Sequence, residues 1–348
     1  MPNQPSDQTT ESGLFTATDE ADGRLRIQMP KELSVVEAVP FRNAFRSVCE
    51  VPDPPRELVL DFGKTRFLDS SGIGALSGCM KIAKARDVDL ALASVGPEVR
   101  AVLTLTGLDR VLRILSDDSS GGLTGAPTGA QAASARAPSA ADLPVTHASI
   151  RSRTKRVLDV IGALVGLGIT GVLFVPIAIA IKRESPGPVL FGQTRCGWMG
   201  RRFTLYKFRS MVADAEARKS EVKNEAEGAI FKAKDDPRIT RIGRLLRRTS
   251  LDELPQFWNV LQGSMSLVGT RPPTPDEIDQ YDVPEWRRLD VKPGITGEWQ
   301  VNGRSSIKSF EDIIRLDLRY QRNWSLWYDI RLLFKTVAVV FSKDSGAM

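Results

Sequence analysis

The chain has 348 residues, enough for two modest domains with a core each, and its formal charge of +6 is unevenly spread. Residues 1–150 carry 15 Lys and Arg against 19 Asp and Glu (net −4), and residues 151–348 carry 33 against 23 (net +10), so an anionic partner meets the second half. Three scattered cysteines without CxxC spacing (Cys49, Cys79, Cys196) argue against a disulfide framework and fit a reducing compartment, and the single histidine, His147, sits in a low-complexity stretch that leaves little room for histidine catalysis or a His-rich metal site.

Residues 1–13 are polar, with neither a basic start nor an apolar run, and are expected to be a disordered tail without a secretory signal. From residue 14 to 117, short apolar runs at "RLRIQM", "ELVLDFG" and "LALASV" predict strands. Apolar residues at helical spacing over 34–50, 71–86 and 97–106 predict helices between and after them. Alternating strands and helices imply a small α/β sandwich. Within it, "FLDSSGIGALSGCMKIAKA" reads as strand, turn and helix, with Asp69, Ser70 and Ser71 where a helix start exposes N–H groups. Simple capping accounts for these residues locally. The stretch 14–117 as a whole resembles the STAS domain of anti-sigma-factor antagonists. That resemblance implies a regulatory module that binds a protein partner or kinase, with Ser70, and next Ser71, as phosphorylation sites.

Residues 118–150 are rich in Gly, Ala, Ser, Thr and Pro without periodicity and predict a flexible linker. The next segment, "VLDVIGALVGLGITGVLFVPIAIAI" over 157–181, has Asp159 as its only ionisable residue. At about 1.5 Å per residue it is long enough for a hydrocarbon core of roughly 30 Å. Basic residues stand on both sides: Arg151, Arg153, Lys155 and Arg156 before it, Lys182 and Arg183 after. The positive-inside bias then asks for both ends in the cytoplasm, which a straight span does not allow. Pro176, with four glycines upstream, predicts a break and a re-entrant helix.

Two adjacent carboxylates, Asp252 and Glu253, occur in "TSLDELPQ", preceded by Arg241, Arg244, Arg247 and Arg248. The plainer reading is a capping box between Ser250 and Glu253. Pro255 opposes it, because a helix capped by Ser250 would hold the proline at its fifth position. A start near Asp252 instead places both carboxylates at a helix N-terminus, beside amides that favour phosphate. Carboxylates for Mg²⁺ or nucleophilic attack, next to guanidinium groups for phosphate oxygens, suit a metal-bound diphosphate.

The runs "KRVLD", "SPGPVLFGQTRCG", "LYKFRSM", "DPRITRIGRLLRRTSLDELPQFWNVLQGSMSLVGTRP" and "KPGITGEWQVNGR" occur in this order between residues 153 and 340. Together they resemble the bacterial sugar transferases, the monotopic phosphoglycosyl transferases. The resemblance implies a catalytic domain over 151–348, mainly α-helical (α+β), on the cytoplasmic face of the bacterial inner membrane. It also implies transfer of a sugar 1-phosphate from a UDP-sugar to undecaprenyl phosphate, with UMP released, for exopolysaccharide, O-antigen or capsule synthesis. Asp252 becomes the nucleophile that takes up the phosphosugar and Glu253 its partner at Mg²⁺. Arg247, Arg271 and Arg304 fall at phosphate- or nucleotide-binding positions, with Lys207 and Arg209 as further contacts. No nucleic-acid partner is implied, and a homodimer is compatible with the pattern.

Two departures stand out: Val175 precedes Pro176 where the family often has serine, and Thr270 occupies a usual proline position in "VGTRP". The alternative to an enzyme is a membrane-tethered STAS regulator with a non-catalytic transferase-like anchor. Retention of Asp252, Glu253 and the arginines favours the enzyme.

Overall fold

The computed structural model describes residues 10–12, 15–20, 24–115, 143–222, 224–225, 228–230, 233, 236–303, 307 and 309–341. The chain divides into two compact units, Met1–Pro144 with Asp282–Arg287, and Val145–Tyr281 with Arg288–Met348.

The first unit contains β1 (Thr10–Ser12), β2 (Phe15–Glu20), β3 (Arg24–Gln28), β4 (Glu32–Leu33), α1 (Val35–Cys49), β5 (Glu57–Asp61), β6 (Phe67–Leu68), α2 (Ser70–Ala85), β7 (Asp89–Ala93), α3 (Pro97–Thr106) and β8 (Arg113–Ile114). Its main sheet has the order β1-β2-β3-β5-β7-β8, antiparallel as far as β3 and parallel beyond it. The central parallel strands β5 and β7 carry continuous apolar runs, as strands covered on both faces do, and Leu58, Val59 and Leu60 are all buried. Local chemistry starts the helices. Ser34 and Glu37 form a capping box on α1, and Asp69 caps α2 by accepting from Gly72 N at 2.9 Å. Pro97 opens α3, and Gly107, at φ 76°, closes it in the left-handed conformation that glycine adopts without strain.

The expected tail needs correcting at one end. Thr10–Ser12 pairs with β2, Thr10 opposite Ala17 and Ser12 opposite Phe15, so this polar stretch becomes a strand through its neighbour's hydrogen bonds. Residues 1–9 lie outside the described residues.

The second unit contains α4 (Ala148–Arg151), α5 (Arg153–Glu184), β9 (Leu190–Cys196), β10 (Arg202–Phe208), α6 (Arg241–Arg248), α7 (Gln256–Gln262), β11 (Ser266–Val268), α8 (Pro275–Ile278), β12 (Gly294–Thr296), α9 (Glu298–Val301), α10 (Phe310–Arg322) and α11 (Leu326–Phe341). It is mainly helical, with a seven-pair antiparallel hairpin, β9–β10, and a short parallel pair, β11–β12. Leu205, Val260, Met265, Leu267, Tyr320 and Leu332 pack around Ala163 of α5.

The linker also ends sooner than its composition suggests. Residues 118–142 lie outside the described residues, but Thr146 Oγ1 donates to Asp290 O at 2.6 Å and receives Trp198 Nε1 at 2.7 Å. His147 caps α4 through Ser149 N and bonds Gln321 O at 3.0 Å. The last residues assigned to the linker are therefore docked on the second unit.

Helix α5 is bound along its whole length. Its buried residues, Lys155, Asp159, Ala163, Gly166, Thr170, Ile177 and Ile181, recur at spacings of three, four and seven, which is one face of a helix. At its start, Lys155 Nζ meets Asp329 at 2.5 Å, and Arg156 donates to Val260 O and Leu261 O in the last turn of α7. One turn on, Asp159 Oδ1 accepts from Ser266 Oγ and Leu267 N, both at 2.9 Å, which explains the one acid in the apolar run. At its end, Glu184 accepts from Arg241 N and Ile242 N and so sits on the N-terminus of α6. Burial works against that carboxylate, yet those two N–H groups hold its pKa below the ordinary value. The opposite face is apolar and exposed: Val157, Ile161, Leu164, Val165, Ile169, Val172, Val175 and Ile179. By length and composition α5 is able to cross a membrane.

The break expected at Pro176 is absent, because the helix continues through it from Arg153 to Glu184. Proline removes one helical hydrogen bond. Just beyond it, Ile177 and Ile181 are seated against Phe208 and Leu246, and this packing holds the helix together. Thr270 has a structural use: its hydroxyl donates to Arg288 O at 3.1 Å.

Candidate active site

Helix α6 ends at Thr249, whose hydroxyl turns back to Leu245 O at 2.8 Å. Ser250 follows with φ 55°, a left-handed conformation that costs a non-glycine residue about 1 kcal/mol or more. It reverses the chain into a single 3₁₀ turn, Leu251–Glu253, and α7 begins after Pro255. Neither sequence reading is met in full. Ser250 makes no capping bond to the turn, and the helix proper starts later than Asp252. The carboxylates instead occupy a tight turn between two helices, with Asp252 buried at 5% exposure and Glu253 half-buried.

Cations from two other elements meet this turn. Lys207 Nζ of β10 lies 3.0 Å from Glu253 Oε1. Arg247, in the last turn of α6, donates from Nε to Ser210 Oγ at 3.1 Å. Burial lowers the Arg247 pKa, while Asp252, Asp236 and Glu253 oppose that fall, so its charge stands in the field of both turn carboxylates. Asn259 fixes the parts relative to one another. Its Oδ1 accepts from Tyr206 N at 3.1 Å and its Nδ2 donates to Thr204 O at 2.7 Å. One buried side chain thus pairs with the edge of β10 as a neighbouring strand would, tying α7 to the strand that carries Lys207.

The remaining expected residues separate. The Arg209 guanidinium donates to Ser185 O (2.7 Å), Ser185 Oγ (3.0 Å) and Pro186 O (2.8 Å), clamping the loop after α5. These bonds give it a structural role, whatever its part in substrate binding. Arg271 is held bidentate by Glu277 at 2.6 and 2.9 Å and lies over the Trp299 ring at 5.9 Å. Arg304 lies outside the described residues. In the first unit, Ser70 and Ser71 are the first two residues of α2, with both side chains buried.

Three contributors escaped the sequence reading: Asn259, Glu277 and Arg195. Arg195 donates to Gln193 Oε1 and, at 2.9 Å, to Pro272 O. Its signal was the strand alternation in "GQTRCG", which puts Gln193 and Arg195 on one face.

Burial alone would raise the Glu277 pKa, but Arg271 beside it holds it below its ordinary 4.5. A folded value below the unfolded one contributes stability that is complete above the unfolded pKa and is lost as pH falls through the folded one. Glu277→Gln is therefore expected to lower the unfolding free energy near neutral pH, with the gap to the unaltered chain closing in acid. Urea titrations from about pH 7 down to about pH 3 measure this. A gap of constant size would show that the ion pair is not its source.

Residues 150–343, more than half of the chain, match the bacterial sugar transferase family. The chain belongs to that family. Residues 16–119 match the STAS domain, so both resemblances read from the motifs hold. Galactosyl transferase CpsE of Streptococcus agalactiae serotype III is 51% identical over 188 residues, which cover 53% of this chain and 42% of that protein. The undecaprenyl-phosphate galactose phosphotransferase of Salmonella typhimurium is 43% identical over 200 residues, 55% of this chain and 41% of that protein. Exopolysaccharide production protein ExoY of Rhizobium meliloti is 38% identical over 203 residues, 56% of this chain and 89% of that protein. The chain thus spans about two fifths of the length of the first two relatives.

Proposed function

We propose that this sugar transferase moves a hexose 1-phosphate from a UDP-sugar to undecaprenyl phosphate, releasing UMP, through a covalent phosphosugar on Asp252. The observation that carries the reading is the turn itself: a buried aspartate beside Glu253, with Lys207 on that glutamate and Arg247 in the field of both. In the first step an Asp252 oxygen bonds to the phosphorus bearing the sugar, and the bond from that phosphorus to the bridging oxygen breaks. UMP departs with that oxygen and its electron pair. In the second step an oxygen of undecaprenyl phosphate attacks the same phosphorus and Asp252 leaves as carboxylate. No proton is consumed in either step. A carboxylate nucleophile thus divides one displacement between two substrates, which predicts ping-pong kinetics.

Mg²⁺ fits the donor set. Among the described residues no group of three or more His, Cys, Asp or Glu gathers. The adjacent pair Asp252 and Glu253 matches the one or two carboxylates, completed by substrate phosphates, with which Mg²⁺ is usually held. When bound there, it would neutralise phosphate charge.

The membrane seat follows from α5. Its first turn is bonded to Asp329 and its last to the start of α6, both in the same compact unit. A span would put these two ends on opposite sides of a bilayer, so their common fastening supports one side for both; the basic residues at either end support the cytoplasmic one, with the exposed apolar face in lipid. Helix α11 supports this with Trp327 and Phe334, each more than 70% exposed.

The STAS domain is assigned to regulation through a protein partner; phosphorylation at Ser70, buried at the start of α2, would first require that helix start to open. The decisive assay incubates the full chain in membranes with undecaprenyl phosphate and a panel of UDP-sugars, UDP-galactose and UDP-glucose included, and measures UMP. Release that requires both substrates is expected. A chain lacking residues 1–140 should stay within about tenfold of that rate, because no group invoked in the chemistry lies there. A folded, membrane-bound catalytic half without activity would show that the first unit takes part in catalysis.

A further inference from the structure

We infer that Arg195, together with Arg271, holds the donor phosphate that departs with the nucleotide. This rests on the proposed reaction and names a residue for its first step alone. In the β9–β10 register, Arg195 is opposite Phe203, Gln193 opposite Leu205, and Lys207 opposite Phe191. Side chains alternate along strands, so these six share one face of the hairpin. Leu205 belongs to the core, which makes this the inward face, and Arg195 and Lys207 are its two charged residues.

The two cations serve opposite ends of that face. Lys207 meets Glu253 at 3.0 Å. Arg195 stands four residues along from Phe191, roughly 13 Å of strand, and its Nη1 donates to Pro272 O at 2.9 Å, next to Arg271. Its Nε and Nη2 both donate to Gln193 Oε1, at 3.0 and 2.7 Å. The guanidinium is thus oriented by neutral acceptors, and among the described residues no carboxylate forms an ion pair with it. Glu277 is engaged bidentate by Arg271.

Glu277 and Glu253 both favour the charge on Arg195, but among the described residues neither pairs with it, so its burial is only partly offset. Desolvation brings the Arg195 pKa down to about 10, and the charge of Arg271 pushes in the same direction. Both penalties are relieved by an anion that accepts from the N–H groups the guanidinium nitrogens keep beyond their bonds to Gln193, Pro272 O and Glu277, and phosphate has oxygens enough to meet both side chains. The attacked phosphorus belongs near Asp252, Lys207 and Arg247. The phosphate that gains charge as its bond to that phosphorus breaks belongs at the far end, with Arg195 and Arg271.

The test uses the full chain in detergent, UMP as the probe, and Arg195→Gln and Arg195→Lys. For Arg195→Gln, UMP affinity and donor kcat/KM are expected to fall by about 30-fold or more. Transfer from preloaded phosphosugar enzyme to undecaprenyl phosphate, after UMP has gone, should stay within about threefold, since the site is then empty. Arg195→Lys should fall between, keeping charge but losing the fork. UMP affinity within twofold of the unaltered chain, or equal loss of both half-reactions as a misfolded variant would give, overturns the inference. If the unaltered chain neither binds UMP nor becomes loaded from any UDP-sugar, the proposed reaction fails first and takes this inference with it.

Discussion

Replacing Asp252 with asparagine is expected to slow UMP release by about a thousandfold or more. The two side chains are nearly the same size, so a residue at 5% exposure is exchanged without a cavity or a clash. What disappears is the anionic oxygen that forms the bond to phosphorus, and the amide has no comparable nucleophile. The variant should remain folded and membrane-bound, and intact mass measurement after incubation with donor should find no phosphosugar adduct. Release within tenfold of the unaltered chain would mean another group makes the attack. Glu253→Gln is expected to be impaired through a different route. It weakens the contact with Lys207 and the metal-binding pair while leaving the nucleophile in place.

The largest effect on stability is expected at Lys155→Met. Lys155 and Asp329 are 5% and 0% exposed, and the ammonium also reaches Val268 O at 3.0 Å. Methionine fills most of the volume but, among the described residues, leaves the Asp329 carboxylate with Tyr320 Oη at 2.8 Å and Trp324 Nε1 at 3.2 Å, both neutral donors. Removing one partner of a buried pair leaves an uncompensated charge and costs about 3–5 kcal/mol. Urea unfolding in detergent measures it, and adding Asp329→Asn should recover part of the loss because the stranded charge is then gone. A cost under about 1 kcal/mol would mean that water or a neighbouring group already compensates Asp329.

The legible parts of the molecule are those in which local chemistry and tertiary packing agree. Helices α1 to α3 were readable from apolar spacing, and α2 also from Asp69 at its start, because there the local cap and the buried face agree. The strand at Thr10–Ser12 was not, since nothing in "TES" favours a strand until β2 lies beside it. The break at Pro176 was misread because proline's local cost is modest against the packing of Ile177 and Ile181. At the candidate site, motif order singled out Asp252, Glu253, Lys207 and Arg247, which the fold brings near one another. It did not show that Ser250 turns the chain in a left-handed conformation, which no residue type but glycine announces. Arg209 looked equivalent to Lys207 two positions away, and only the fold reveals that it grips the loop at Ser185 and Pro186.

A helix fastened to its own domain at both ends and at every turn between offers an apolar phase its flank and never its length. A crossing helix must match the thickness of the bilayer, and tilts or distorts it when the match is poor. Helix α5, tied down from Lys155 to Glu184, has no such ruler to obey. In the proposed membrane seat its burial would depend instead on lateral room among the acyl chains, so that loosely packed or strongly curved membrane should hold the chain better than a tightly ordered one. Thickness would matter little to where it settles, and lateral pressure a great deal.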